Sequence, residues 1–577
     1  MRRRWFFLGA IILFFWGLWV LEVRPAELIP NEGGRAAAGD FLAGAFNPAF
    51  DFEEDGEIRG KEVSFLEKVG KSLLLTVRYA VVAMSLAVVI GIVGGILGSR
   101  AWWSRPNWFL RTLRIGVRLI STAIRSVHEL MWALLFLAAL GTSPLVAVVA
   151  MALPYGGTLA KVFSELLDEN ASSAAEVVRS TGGSGFSAFF AGVVTRALPD
   201  LATYTLYRLE CAVRSSAVLG FVGIPTIGYE IRNAWEDGYY QEIWTFVYAL
   251  LIAVVLFEAW GAKVRSLLTK GSSSKTGERK GASLSELWKG RSRSLFLKFS
   301  VVLLAAGIAT GWMIEKKWTA GVSWEQRMRN LDRFTDEMVP YPIREADGDW
   351  SLFDDWFGEK MEEEGTTALW RTFHVGTAAI LLAGAVSMLG ILFASRSLAS
   401  RNPRGVREGG IGLRKFGAMV LRGASMLARA MPEFVLAFLL FGIFGPTYWV
   451  LIFALAIHNG GILLRLGAEV IDNTESQASS VILAQGGSRS SAYLGALIPT
   501  GFNRLVLFLF YRWESCIREA TVLGMLSLAS LGFLISDAKV SFFYDEMVLW
   551  VGLGAALVFA GDLMSDFVRH KLRVGSR

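Results

Sequence analysis

Residues 207–220 read Tyr207-Arg208-Leu209-Glu210-Cys211-Ala212-Val213-Arg214-Ser215-Ser216-Ala217-Val218-Leu219-Gly220. Residues 511–524 read Tyr511-Arg512-Trp513-Glu514-Ser515-Cys516-Ile517-Arg518-Glu519-Ala520-Thr521-Val522-Leu523-Gly524. The pattern Tyr-Arg-x-Glu-x-x-x-Arg-x-x-x-Val-Leu-Gly therefore occurs twice. The same offset superimposes Arg125 and Glu129 on Arg429 and Glu433, Gly156-Gly157 on Gly460-Gly461, and Gly182-Gly183 on Gly486-Gly487. One register kept over that much chain means two copies of one domain in a single polypeptide. The site of action is expected between the copies.

The chain has 577 residues, 53% of them hydrophobic, with 39 Phe and 20 Trp. A helix that crosses a bilayer needs about 20 consecutive apolar residues. Segments such as Trp5–Leu21, Leu73–Leu97, Trp132–Met151, Val435–Ile457 and Met547–Ala560 approach or exceed that length. The expected fold class is all-α, a polytopic membrane protein with about twelve spans in two parallel six-helix repeats. The spans are read near residues 5–21, 70–98, 115–141, 143–165, 198–224 and 243–262, and again near 296–314, 366–394, 415–442, 446–467, 502–535 and 546–566. Six spans per copy insert both copies the same way up, related by an axis along the membrane normal. The reading divides the chain into a first repeat, 1–265, a basic linker, 266–295, and a second repeat, 296–577.

The formal net charge of +7 is distributed as a topology signal. Basic residues collect at Arg100–Arg114, Lys263–Lys298, Arg396–Arg407 and Arg569–Arg573, and acidic ones at Asp51–Glu57 and Asp347–Glu364. That alternation is the positive-inside pattern, which puts both termini in the cytoplasm and argues against nucleic-acid binding. The start Met1-Arg2-Arg3-Arg4 before Trp5–Leu21 reads as an uncleaved anchor. Cys211 and Cys516 sit in spans, out of register with each other, so no disulfide framework is expected. His128-Glu129 has no second histidine at helical spacing, so no metal site is expected, and no phosphate-binding loop is present.

Between spans four and five each copy carries a polar segment long enough for two short helices broken by glycine. One runs from Glu176 through Thr181-Gly182-Gly183 to Pro199, and the other from Ser480 through Gln485-Gly486-Gly487 to Pro499. Together with the Tyr-Arg-x-Glu span, these segments resemble the Glu-Ala-Ala…Gly coupling loop of ABC importer permeases, most closely those of the phosphonate type. The resemblance covers most of both copies outside the loops and linker. It implies a permease subunit in a bacterial plasma membrane, with two cassette ATPases bound at Glu176, Gly182, Gly183, Ser480, Gly486 and Gly487. It also implies an extracytoplasmic binding protein, a small phosphorus oxyanion as substrate, and ATP bound by the partner chains. The chain departs from the pattern at Ser480, where the glutamate belongs, and at Pro199, which falls four positions late.

Glu210 and Arg214, like Glu514 and Arg518, lie i, i+4 on one helical face. Ionisable groups within a span point to function, and arginine grips oxyanions bidentately. With Tyr207 and Tyr511 they form the candidate translocation path; the alternative is an ion pair that only packs helices. Arg125, Glu129, Arg429 and Glu433 read as interior polar anchors. Two other functions stay open: the same architecture carrying methionine or an organic acid, and a secondary transporter with parallel repeats and no ATPase.

Overall fold

The computed structural model describes residues 3–30, 32–53, 63–103, 107–170, 173–273, 294–314, 323–400, 411–474, 477–526 and 528–574. Among these residues every regular element is a helix. Most of the linker (274–293), Glu54, Asp55, Glu57, Arg105, Arg401, Arg404 and Arg407 lie outside the described residues. Among the described residues eight helices are long and apolar enough to cross a bilayer, and up to twelve crossings result if each of four bent helix pairs counts as one.

In the first repeat, α1 (Arg3–Val20) and α2 (Glu32–Phe46) precede the long α3 (Phe65–Gly98). Then come α4 (Trp108–Ser126), α5 (Glu129–Leu140), α6 (Pro144–Glu169), α7 (Ser173–Ser180), α8 (Thr195–Val218), α9 (Ile227–Glu236) and α10 (Tyr240–Ser273). The second repeat opens with α11 (Leu295–Ile314) and α12 (Trp324–Glu337), followed by α13 (Thr366–Ala394), α14 (Ile411–Ala430), α15 (Glu433–Phe444) and α16 (Tyr448–Asp472). It closes with α17 (Gln477–Ala484), α18 (Ile498–Leu523), α19 (Leu531–Val540) and α20 (Tyr544–Val574). The helix α10 runs on into the segment read as linker, to Ser273.

The third span of each repeat is not a straight rod. The helices α4 and α5 meet at 87°, and α14 and α15 at 93°. The cause is local. Val127 is extended, and the His128 ring accepts the Leu130 N–H at 3.1 Å, which caps a new helix. In the second repeat Pro432 holds the cap position, and proline biases the residue before it away from helical geometry. Hydropathy carries straight across both breaks, so composition alone reads one span.

The pair α3 and α6 packs through glycine. A Cβ on Gly94 would lie 2.7 Å from Ala160 Cβ, and one on Gly95 2.7 Å from Phe163 Cβ. Small residues let membrane helices approach closely, where dispersion contacts replace the missing hydrophobic drive. The same logic serves Gly157 and Gly461, whose added Cβ would sit 2.7 Å from Ser121 O and 2.6 Å from Ser425 O. Those glycines seat α6 on α4 and α16 on α14. Buried hydroxyls fasten the later helices: Thr76 Oγ1 accepts from Ile227 N at 2.9 Å, and Thr372 Oγ1 from Leu531 N at 3.1 Å.

The compact units do not coincide with the sequence repeats. One unit is Ala43–Thr335; the other joins Met1–Leu42 to Asp336–Arg577. The first helix of each repeat thus belongs to the body of the other. On α1, Trp16 sits edge-on to His374 at 4.8 Å and 6.2 Å from Trp370, Phe6 lies 5.7 Å from Phe502, and Arg24 O accepts from Trp449 Nε1 at 3.1 Å. On α11, Trp312 Nε1 donates to Ser85 Oγ at 3.2 Å, and Ser300 Oγ accepts from Trp260 Nε1 at 3.0 Å. The tryptophans supply both apolar area and the hydrogen bonds that satisfy their ring N–H groups.

This exchange has a direct test. A chain divided between residues 273 and 294, with Trp16→Cys in the first piece and Trp370→Cys in the second, is treated with a short bis-thiol reagent after Cys211 and Cys516 are replaced. The two pieces are expected to join into one band. A first piece that never joins the second, although both are in the membrane, contradicts the exchange.

Candidate functional site

The polar segments after α6 and α16 fold alike. In the first, Gly182 N donates to Arg179 O at 3.0 Å and Gly183 N to Val178 O at 2.9 Å. In the second, Gly486 N donates to Leu483 O at 3.1 Å and Gly487 N to Ile482 O at 2.9 Å. These paired bonds are the Schellman ending of a helix, which satisfies its last carbonyls and needs a left-handed residue. Gly182 and Gly486 provide it, with φ of +86° and +83°. Gly183 and Gly487 are needed for a different reason: a Cβ there would lie 2.6 Å from Val178 O and 2.6 Å from Ile482 O.

The next residue restarts the helix in both copies. Ser184 Oγ accepts from Ser187 N at 3.2 Å, and Ser488 Oγ from Ser491 N at 3.0 Å. Each short helix then widens into a π-helical turn, Ala188–Val194 or Tyr493–Leu497, before entering α8 or α18. Such turns shift the facing of everything beyond them. The departure at Ser480 leaves this backbone unchanged. Pro499 stands in the first turn of α18, whereas Pro199 lies inside α8.

The inner face of each element is buried. Leu167, Ala175, Ala188, Phe189, Val193 and Ala197 form one cluster, and Ile471, Leu464, Tyr493, Leu497 and Ile498 with α13 residues form the other. The outer face is not. Glu176 and Ser480 are exposed, and beside them Val177, Phe186 and Val481 are 62%, 63% and 53% exposed. A rigid turn with apolar and polar side chains held outward is shaped to seat on a partner.

Sequence reasoning missed the residues that anchor these elements. Asp168 Oδ1 accepts from Ser99 Oγ at 2.7 Å, Arg100 N at 2.6 Å and Ala101 N at 3.1 Å, while Oδ2 accepts from Arg118 Nη2 at 3.0 Å. Arg118 Nε donates to Gly98 O at 2.8 Å, satisfying a carbonyl at the end of α3. The second repeat builds the same clamp: Asp472 accepts from Ser395 Oγ at 2.7 Å, Ser397 N at 3.0 Å and Arg422 Nη2 at 2.5 Å, and Arg422 Nε donates to Ala394 O at 2.8 Å. One carboxylate thereby ties the ends of two helices to the middle of a third, ahead of each exposed turn. The signal was present, since the repeat offset carries Arg118 onto Arg422 and Asp168 onto Asp472.

The other candidates lie on α4, α5 and α8 of the first repeat and on α14, α15 and α18 of the second. Tyr207 and Tyr511 are exposed, whereas Glu210 and Glu514, one turn further along the same helices, are buried. Glu210 forms an ion pair with Arg265 of α10, beside Gly261, where a Cβ would come 3.2 Å from the carboxyl carbon. Arg214 and Arg518 are half-buried, and Arg518 Nη2 lies 3.5 Å from Ser515 Oγ. Arg125 and Arg429 close the last turns of α4 and α14, and Glu129 and Glu433 open α5 and α15. Those charges complement the helix dipoles at each break. Glu129 lies 3.7 Å from His128 Nδ1 and Glu433 3.9 Å from His458 Nε2. Among the described residues no group of His, Cys, Asp and Glu side chains is arranged to hold a metal ion.

The sequence profile of the family described as "Binding-protein-dependent transport system inner membrane component" matches twice, over residues 79–259 and 405–573. The chain belongs to this family. It is a multi-pass inner-membrane permease built from two copies of the family's domain. It is 25% identical over 505 residues to the phosphate-import permease protein PhnE of Mycolicibacterium smegmatis, covering 88% of this chain and 86% of that one. It is 29% identical over 196 residues to the phosphite transport system permease protein PtxC of Stutzerimonas stutzeri, covering 34% of this chain and 69% of that protein. It is also 29% identical over 109 residues to the putative cryptic phosphonate transport system permease protein PhnE2 of Escherichia coli, covering 19% of this permease and 89% of that protein. No solved structure matches the chain significantly.

Replacing the clamp carboxylates tests their anchoring role. Hydrogen bonds to a charged group contribute ~1.5–3 kcal/mol each when buried and less when solvent reaches them. Asp168→Ala and Asp472→Ala are each expected to cost ~1–3 kcal/mol, read as an earlier thermal unfolding midpoint in detergent. Midpoints equal to that of the unaltered protein contradict the clamp.

Proposed function

We infer that this permease imports a phosphorus oxyanion (phosphate, phosphite or a phosphonate) across the inner membrane as part of an ABC importer. The observation that carries the reading is the match over nearly the whole chain to a phosphate-import permease of similar length. The phosphite and phosphonate permeases that align with parts of the chain point to the same substrate class. Separate cassette ATPases bind the ATP and seat on the two exposed turns, with Glu176, Gly182 and Gly183 on one and Ser480, Gly486 and Gly487 on the other. Both termini lie in the cytoplasm by the charge pattern, on the side of the ATPases. An extracytoplasmic binding protein delivers the anion to the opposite side. Arg214, Arg518, Tyr207 and Tyr511 are assigned to the translocation path, and Glu210 and Glu514 hold its walls.

The physical case for the turns is that force from a motor must reach the spans without being lost in a soft loop. A Schellman turn with both glycines in place, a buried inner face and a charged clamp at its root is stiff. Forcing a branched residue into the left-handed region costs ~1–2 kcal/mol, and a side chain at the crowded second glycine adds a clash.

Uptake of radiolabelled phosphate is measured in the native host carrying the tagged permease in place of its own copy. The expected result is uptake that falls when ATP is depleted, with a cassette ATPase recovered alongside the purified permease. Gly182→Val combined with Gly486→Val is expected to lower uptake by about tenfold or more, the equivalent of one to two left-handed penalties. Phosphate, phosphite and methylphosphonate all failing to enter or to compete would overturn the substrate class.

A further inference from the structure

We propose that Arg208 is the contact of the first repeat for the transported anion, and that the second repeat cancels the equivalent charge internally. This deepens, and rests on, the reading of the chain as an oxyanion importer. Arg208 and Arg512 occupy the same position of the repeated motif, on α8 and α18. Their surroundings differ at three positions, and those differences decide their chemistry.

Arg512 stands in a closed triangle. Its Nε donates to Asn459 Oδ1 at 2.8 Å and its Nη2 to Glu519 Oε1 at 2.9 Å, while Asn459 Nδ2 donates to Glu519 Oε2 at 2.9 Å. The charge is neutralised and the carboxylate is satisfied at both oxygens. In the first repeat, Tyr155 replaces Asn459 and Ser215 replaces Glu519. Their hydroxyls bond to each other at 2.8 Å. Arg208 is left with Tyr204, whose hydroxyl accepts from Nε at 3.0 Å, and with the faces of the Tyr204 and Tyr155 rings, 5.4 and 5.9 Å from the guanidinium carbon. Position 508, opposite Tyr204 in the repeat, is Phe508.

Among the described residues Arg208 makes no ion pair, and its two terminal nitrogens make no hydrogen bond to the protein. Phenol and ring faces hold a guanidinium in place and offset part of its desolvation, but they leave its charge whole. A half-buried cation within a span is costly unless something completes it. An oxyanion does so, taking the free edge of the fork with two parallel bonds. One such contact, without a matching one in the second repeat, also suits transport. At this level of the path the anion is attracted by one uncompensated charge, and it is not gripped by a second one that would slow its release.

The test rebuilds the triangle of the second repeat in the first, with Tyr155→Asn and Ser215→Glu together. The fold already accommodates that arrangement around Arg512, so the variant is expected to assemble. Phosphate uptake in the native host, normalised to the amount of ATPase-bound permease recovered, is expected to fall about tenfold or more, the size of a lost charge-assisted hydrogen bond. Arg208→Gln is expected to match that fall and Arg208→Lys to fall less, with the apparent KM for phosphate rising in both. Neutralising the other side, with Arg512→Gln and Glu519→Gln together, is expected to change uptake by no more than about twofold. Normal uptake by the rebuilt triangle and by Arg208→Gln overturns the assignment, as do equal losses from both repeats. Absence of phosphate, phosphite and methylphosphonate uptake by the unaltered permease is a separate outcome, and it strikes the importer reading itself.

Discussion

The Asp168 and Asp472 carboxylates hold the architecture at its most demanding points. Each ends a long helix, collects the end of the second span and one turn of the third, and precedes the short helix that leads to a solvent-exposed turn. A helix end leaves carbonyls and amides without partners, and in or near a bilayer those groups are expensive to abandon. One carboxylate and one arginine satisfy several of them together. That economy makes the bases of the turns rigid, because no member of the clamp can shift without breaking bonds to the others.

Rigidity then propagates along the chain in a definite order. The clamp orients the short helix after it, paired glycines end that helix in a Schellman turn, a serine cap starts the next, and a π-helical turn hands the chain to α8 or α18. Every step recurs in the second repeat, with an aspartate, an arginine and a serine at the clamp, paired glycines at the turn and a serine at the cap. Ser480 stands where Glu176 does, and the backbone bonds of the turn are the same. The repeats diverge instead deeper along α8 and α18, where Arg208 keeps its charge and Arg512 loses it to Glu519. The two copies thus share their mechanics while their polar interiors differ.

Much of this was legible in the sequence. The constant offset revealed two copies, long apolar runs revealed the spans, and glycine pairs at matched positions revealed the turns. The residues that escaped did so for physical reasons. Asp168 and Arg118 sit at span ends, where charges read as solvated topology signals, although their recurrence in register was visible. The breaks before Glu129 and Glu433 were hidden because hydropathy is blind to a cap or to the effect of Pro432. The exchange of α1 and α11 was invisible, since a lipid-facing helix of high hydropathy carries no mark of which body it will pack on. The pair Glu210 and Arg214 was read along one helix, and the ion pair of Glu210 with Arg265 escaped because only the tertiary fold brings α10 up to α8.

The central claim is that the two turns are equivalent handles for a motor. Single cysteines at Val177 and at Val481, in a permease with Cys211 and Cys516 replaced, are treated with a short bis-thiol reagent in native membranes, and the products are identified by mass spectrometry. The expected result is that each position joins a cassette ATPase, and that the two yields change together when ATP is bound. If neither position reaches an ATPase while a cysteine elsewhere on the cytoplasmic side does, the turns are not the handles and the coupling lies in another part of the permease.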